Sequence, residues 1–119
     1  MKLLRSVAGI AVGYLIFAVS AVLLFNLTGV APHAPQPVAI MLGATLYGMV
    51  FSAIGGALGV RIAGYAPARH GLALAALIAA GATASMLTSP DADATWSQWS
   101  AILFMAPSAW AGARGRGRA

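Results

Sequence analysis

The chain has 119 residues, of which 61% are hydrophobic and only 8% are charged, whereas a soluble domain carries about 25% charged residues. So few charges cannot cover the apolar surface of a soluble fold of this size. This composition excludes soluble enzymes, disordered chains and coiled coils. The sequence also contains no cysteine, which excludes disulfides and thiolate–metal chemistry. We therefore expect a single domain embedded in a membrane.

The uncharged stretches of the chain define its predicted spans. Residues 6–60 contain no Asp, Glu, Lys or Arg, and a spanning helix needs about 20 apolar residues, so two spans fit there. Three prolines between residues 32 and 37 break the stretch, because proline cannot continue a helix. Residues 70–90 and 94–113 are uncharged as well. The predicted segments are helices 6–28, 38–62, 70–88 and 97–113, outer loops 29–37 and 89–96, an inner loop 63–69 and a basic tail 114–119.

The charges predict how these helices cross the membrane. All seven basic residues fall on one side of the predicted spans, and both acids, Asp91 and Asp93, fall on the other. The positive-inside rule then places both termini in the cytoplasm. The first apolar stretch, about 23 residues long, exceeds the 7–15 residues of a signal-peptide core, so we expect it to be retained. The sequence predicts an all-α integral membrane protein, a four-helix transmembrane bundle in a bacterial inner membrane.

Small residues recur at four-residue spacing, which places them on one face of a helix. Such faces let membrane helices approach closely. Two interpretations stay open: contact with another chain, or packing inside the bundle. The candidate packing residues are Gly9, Gly13, Ala44, Gly48, Ser52, Gly55, Gly56 and Gly59.

One further helix feature is Pro107, which lies inside the fourth predicted helix. Proline lacks the N–H that an α-helix needs and clashes with the preceding turn. We therefore expect a kink at this position.

Polar side chains in the spans suggest a shared layer. One polar residue in each predicted helix lies 14 or 15 positions from the arginine at its cytoplasmic end, about 21 Å at 1.5 Å per residue. These residues are Ser20, Tyr47, Thr83 and Ser100. They could line a polar path for a small solute. Alternatively, each Ser or Thr bonds a carbonyl of its own helix, and each Tyr reaches toward the membrane surface.

Apart from Arg61, at the cytoplasmic end of helix 38–62, no Asp, Glu, Lys or Arg lies inside a predicted span. We predict no catalytic residue, cofactor or metal. His33 with Asp91 and Asp93 lacks the ligand number and spacing of a metal site. The basic tail has no interleaved aromatic residues, so we expect no nucleic-acid binding. His70 and the cytoplasmic arginines are expected to hold anionic lipid head groups. These arginines are Arg61, Arg69, Arg114, Arg116 and Arg118.

These observations lead to two functional expectations from different classes. The first is a non-catalytic accessory or structural subunit that packs with a membrane-protein partner. The alternative is a homo-oligomeric channel, or an uncoupled facilitator, for a small neutral solute. We do not expect an enzyme, because the sequence offers no nucleophile–base pair.

Overall fold

The computed structural model describes residues 1–31, 34–88 and 95–118, with side chains up to residue 115. Throughout these ranges the regular structure is helical. The first three helices are α1 (Lys2–Thr28), α2 (Val38–Ala63) and α3 (Pro67–Thr88). A fourth helix, here α4, joins three consecutive stretches: α-helical Trp96–Ser100, π-helical Ala101–Met105 and α-helical Ala106–Arg118.

Local sequence explains where these helices begin and end. Helices α1 and α2 stop at Gly29 (φ 73°) and Gly64 (φ 80°), because glycine adopts the left-handed conformation of a C-terminal cap without steric cost. Helix α3 starts at Pro67, where the missing N–H is not needed. Compared with the predicted bounds, α1 and α3 start earlier, and α4 continues to Arg118. The predicted basic tail is therefore helical as far as that residue.

Three helices, α1, α2 and α3, are long and apolar enough to cross a membrane. In the most apolar 18-residue window of α1, only 17% of the residues are buried inside the protein, and α2 and α3 are similar at 22% and 17%. Most of their large aliphatic side chains therefore face outward. Outward-facing aliphatic side chains are energetically favourable only where the surrounding medium is apolar instead of water. The fold thus has the surface of a membrane protein.

Helix α2 occupies the centre of the bundle. It packs extensively against α1 on one side and against α4 on another, and α3 packs mainly on α4. In the described part of the chain, no Cα atom of α1 comes within 8 Å of a Cα atom of α4. Helix α1 touches α3 over a smaller area. The helices therefore leave space between α1 and α4.

Glycines allow α1 and α2 to meet backbone to backbone. A Cβ atom on Gly13 would lie 2.9 Å from the carbonyl oxygen of Gly55, and a Cβ atom on Gly55 would lie 2.7 Å from that of Gly13. One turn further along, Gly9 and Gly59 face each other in the same way. The two Gly-x-x-x-Gly pairs thus meet in antiparallel register.

The other small-residue face of α2 packs on α4. Gly56 lies against the carbonyl oxygen of Ala109, and Gly48 lies against the side chain of Met105. Ser52, between them on the same face, is fully buried, and its Oγ is the one buried side-chain polar atom without a hydrogen-bond partner among the described residues. All eight candidate packing residues are buried within the single chain. This is the arrangement that the intramolecular interpretation requires.

Candidate functional site

A cavity of about 240 Å³ lies between the four helices, toward the end opposite Lys2 and Arg5. We call it the outer cavity. Helix α1 contributes side chains spaced three or four residues apart, which places them on one face. The wall of the outer cavity consists of Tyr14, Phe17, Ala21, Phe25, Ala44, Gly81, Ala82, Ser85, Trp96, Ser97, Gln98, Ala101 and Met105.

Aromatic residues shape this cavity. The rings of Phe25 and Trp96 meet edge to face with centroids 6.2 Å apart, and the Trp96 indole N–H donates to the Ala34 carbonyl at 2.9 Å. Deeper in the bundle, a Cβ atom on Gly81 would lie 2.7 Å from the Tyr14 hydroxyl. The absence of a side chain at Gly81 therefore makes room for the Tyr14 ring. Together these contacts give the cavity a largely apolar, aromatic wall.

One corner of the outer cavity is polar. Gln98 is only 4% exposed, and its amide nitrogen donates to Ser85 Oγ at 3.2 Å. Ser97 Oγ donates to the Gln98 Oε1 at 3.2 Å. Gln98 is not among the residues predicted from the sequence, although an amide inside an uncharged 20-residue stretch points to a polar site in the membrane. This corner is the polar part of an otherwise apolar wall.

Two of the predicted polar-layer residues do meet. The Tyr47 hydroxyl donates to the backbone carbonyl of Ser20 at 2.9 Å, and Ser20 Oγ donates to the Phe17 carbonyl at 2.7 Å. Tyr47 thus crosses from α2 to α1. Its hydroxyl is satisfied within the bundle.

The other two polar-layer residues lie elsewhere. Ser100 Oγ is hydrogen-bonded to Thr45 Oγ1 at 3.0 Å in a buried contact between α4 and α2. Thr83 is exposed, and its hydroxyl donates to the Ala79 carbonyl of its own helix at 2.8 Å. The four residues therefore do not line a common path in the single chain. Thr45 is not among the predicted residues, because depth counted along a helix does not tell which face a residue occupies.

The structure places a π-helical turn where the sequence predicted a kink. The N–H of Ala106 donates to the carbonyl of Ala101, five residues earlier, directly before Pro107. A wider turn accommodates the proline, which has no N–H to donate. Ala101 and Met105, at the two ends of this π-helical stretch, both line the outer cavity. The distortion around Pro107 thus helps to shape the candidate site.

The described basic side chains lie together at the opposite end of the bundle. Arg61 and Arg69 are exposed, as head-group contacts would require, and Arg114 stacks over the Trp110 ring at 4.8 Å. His70 is different: it is buried, and both of its ring nitrogens are hydrogen-bonded inside the protein. Its expected contact with lipid head groups is therefore wrong. The side chains of Arg116 and Arg118 fall outside the described part of the structure.

Comparison with known proteins yields no assignment. No family model, no curated protein and no solved structure matches this chain. Among the described residues no group of three or more metal-ligating side chains occurs, and His33, Asp91 and Asp93 lie outside those residues. What the described geometry offers is a cavity with a largely apolar wall and one polar corner.

Proposed function

We propose that the four helices form a transmembrane bundle of a bacterial inner membrane, with α4 as the fourth span and both termini in the cytoplasm. The outward-facing apolar surface of α1, α2 and α3 supports this proposal. Helix α4 runs without a break from residue 96 to residue 118, about 34 Å at 1.5 Å per residue, which is enough to cross the hydrocarbon core of a bilayer. The positive-inside rule supports the orientation.

Within this membrane the chain acts as a non-catalytic accessory subunit that packs with a larger membrane protein. The observation that carries this proposal is a groove of about 420 Å³ on the outer surface of α1 and α2. We call it the α1–α2 groove. It is lined by Val12, Leu15, Ile16, Val19, Ser20, Leu23, Tyr47 and Phe51.

The shape and chemistry of this groove suit a partner helix. Its polar groups, at Ser20 and Tyr47, are already hydrogen-bonded to α1, so the groove needs no polar partner. Helices pack by fitting the ridge of one into the groove of another. In a bilayer this fit is one of the forces that drive association, since lipid is as apolar as the helices and supplies no hydrophobic driving force. A partner helix with an apolar ridge therefore fits better than a disordered acyl chain.

Site-specific photocrosslinking in the native membrane tests the subunit proposal. A photoreactive residue at Leu15 or Val19, on the groove, should give a discrete adduct with one larger protein. The same residue at Leu72 or Leu77, exposed on α3, should give no such adduct. Adducts with lipid alone at all four positions would refute the proposal. An adduct with a second copy of this chain would instead favour the channel alternative.

The geometry gives less support to the channel or facilitator. Its expected lining, at Tyr47, Thr83 and Ser100, is dispersed, and each hydroxyl already has a partner in the bundle. A path would have to form between copies of the chain. Solute flux into liposomes that is lost in Tyr47→Phe, Thr83→Val and Ser100→Ala variants would support it.

A further inference from the structure

Two hydroxyl groups on the wall of the outer cavity have no acceptor for their protons among the described residues. Tyr14 and Ser85 both line the cavity. The Tyr14 hydroxyl makes no hydrogen bond within the described part of the chain, and Ser85 Oγ only accepts one, from the Gln98 amide at 3.2 Å. A hydroxyl can donate one hydrogen bond and accept two. Both protons are therefore available to an occupant of the cavity.

These two donors lie about one helical turn apart along α3. The Tyr14 hydroxyl oxygen would lie 2.7 Å from a Cβ atom on Gly81, and Ser85 follows Gly81 by four residues, on the same face of α3. Four residues correspond to about 6 Å along the helix axis. This spacing suits two acceptor oxygens on opposite edges of one six-membered ring.

The size and the wall of the outer cavity suit such a ring. Its volume of about 240 Å³ exceeds that of an apolar cavity of about 150 Å³ that holds benzene, so a single ring with small substituents fits. Phe17, Phe25 and Trp96 line the cavity, and aromatic side chains favour stacked or edge-to-face contacts with another ring. None of the described wall residues carries a charge. The chemistry of the wall therefore selects an uncharged occupant.

The depth of Tyr14 indicates where the occupant comes from. Tyr14 is close to the midpoint of α1, which runs from Lys2 to Thr28, and so lies about 18–21 Å from either end of the helix. In a bilayer this midpoint falls within the hydrocarbon core, which is about 30 Å thick. The space that the helices leave between α1 and α4 connects the cavity sideways with this core. A compound dissolved in the hydrocarbon can reach Tyr14, whereas a phospholipid head group stays at the membrane surface.

We propose that the outer cavity binds a quinone, which is an uncharged, lipid-soluble ring with carbonyl oxygens on opposite edges. The Tyr14 hydroxyl donates to one carbonyl and the Ser85 hydroxyl donates to the other, while the ring lies against the aromatic wall. A carbonyl oxygen accepts hydrogen bonds and donates none, so it matches a hydroxyl donor. This inference rests on the proposed membrane placement. It does not depend on a partner subunit, because the α1–α2 groove is lined by different residues.

Quenching of Trp96 fluorescence measures the binding. The probe is duroquinone, a benzoquinone with four methyl groups, and its matched control is durene, which has the same ring and methyl groups but no oxygen. The full-length protein is held in lipid nanodiscs, with Trp99→Phe and Trp110→Phe so that only Trp96 reports. We expect quenching by duroquinone to saturate. Durene, measured by its competition with duroquinone, should bind about 2–13-fold less tightly for each hydrogen bond that it lacks.

Matched variants locate the binding site. Tyr14→Phe should weaken duroquinone binding about 2–13-fold and leave durene binding unchanged, because only the carbonyl compound uses the hydroxyl. Ser85→Ala should have the same effect. Tyr47→Phe removes a hydroxyl that lies outside the cavity and is bonded to the Ser20 carbonyl, so it should change neither affinity. Ala21→Leu, which fills part of the cavity, should weaken the binding of both compounds.

Three results would overturn the proposal. Quenching that rises linearly with duroquinone, without saturation, would indicate that the compound only dissolves in the bilayer. Equal affinities for duroquinone and durene in the protein with its native cavity would mean that no hydrogen bond contributes. An equal loss of both affinities in Tyr14→Phe would indicate a packing defect instead of a lost donor. The comparison of the two compounds needs no change in the cavity, so it decides the question even if Tyr14→Phe does not fold.

Discussion

Gly13 of α1 and Gly55 of α2 are reciprocal partners: a Cβ atom on either glycine would meet the carbonyl oxygen of the other within 3 Å. The Leu74 side chain of α3 packs on the same point, with its Cδ2 2.8 Å from a Cβ atom on Gly13. The contact depends on both glycines at once, because neither helix can yield without moving its whole backbone. Small residues at a helix interface let membrane helices approach closely in this way.

Substitution of Gly55 should therefore be costly. Gly55→Ala places a methyl group against backbone rather than a flexible side chain, and we expect a loss of about 1–3 kcal/mol in the free energy of unfolding. Gly43→Ala is the matched control, since Gly43 lies in the same helix with nothing within 4 Å of a Cβ atom. It should be neutral or stabilising by up to about 1 kcal/mol. Equal stabilities of the two variants in detergent unfolding would contradict the α1–α2 packing.

The two tyrosines of the bundle interior should respond differently to loss of their hydroxyls. Tyr47→Phe removes the hydrogen bond to the Ser20 carbonyl, and we expect a cost of about 0.5–1.5 kcal/mol. Tyr14→Phe leaves the ring against Gly81 and removes a hydroxyl that has no hydrogen-bond partner among the described residues. The free energy of unfolding of the Tyr14→Phe variant should therefore equal that of the wild type. Thermal unfolding of both variants in one detergent measures the difference, and a larger loss for Tyr14→Phe would show that this hydroxyl has a partner.

Ala66, in the turn between α2 and α3, has a left-handed φ of 44°, and this conformation can be tested by itself. Glycine accepts a φ of 44° without steric cost, so Ala66→Gly should be stabilising by at most about 1 kcal/mol after the added flexibility of the unfolded chain. Ala68→Gly, two residues later in α3, should be destabilising by about 1 kcal/mol. Equilibrium unfolding at neutral pH compares the two variants. If Ala66→Gly lost as much stability as Ala68→Gly, the left-handed turn would not be present in the folded protein.

The proposed orientation predicts which side of the membrane each loop faces. Single cysteines at Gln36, between α1 and α2, should react with an impermeant maleimide added to intact spheroplasts. Cysteines at Ala68 or Gly115, at the other end of the bundle, should react only after permeabilisation. Since the chain has no cysteine of its own, the background is zero. Labelling of Ala68 in intact cells would contradict the four-span arrangement with both termini inside.

Several features of the fold could be predicted from sequence because they are local. Apolar stretches and breaks at proline and glycine locate α1, α2 and α3 to within four residues at each end. Small residues at four-residue spacing identify the faces on which α2 packs. The end of α4 is different: Gly115 and Gly117 disfavour a helix, yet the helix continues past them. Helix propensity alone did not predict that outcome.

At the candidate site, the sequence predicts how deep a residue lies in its helix but not which way its side chain faces. Counting residues placed Ser20 and Tyr47 at one depth, and they do meet, but the same count could not show that Thr83 faces outward or that Ser100 pairs with Thr45. Depth follows from the 1.5 Å rise of a helix. Orientation about the helix axis depends on which neighbour each face packs against.

The sequence by itself determined that this is a helical protein of membrane type, where its helices lie and which faces are small, because hydropathy, proline and glycine act over a few neighbouring residues. Only the tertiary structure decided that the glycine faces pack against helices of the same chain and that an aromatic cavity remains between α1 and α4. It also decided that His70 is buried against Ser6 rather than exposed beside Arg69. Each of these depends on contacts between residues far apart in the chain. Such contacts follow from how four helices fill space together.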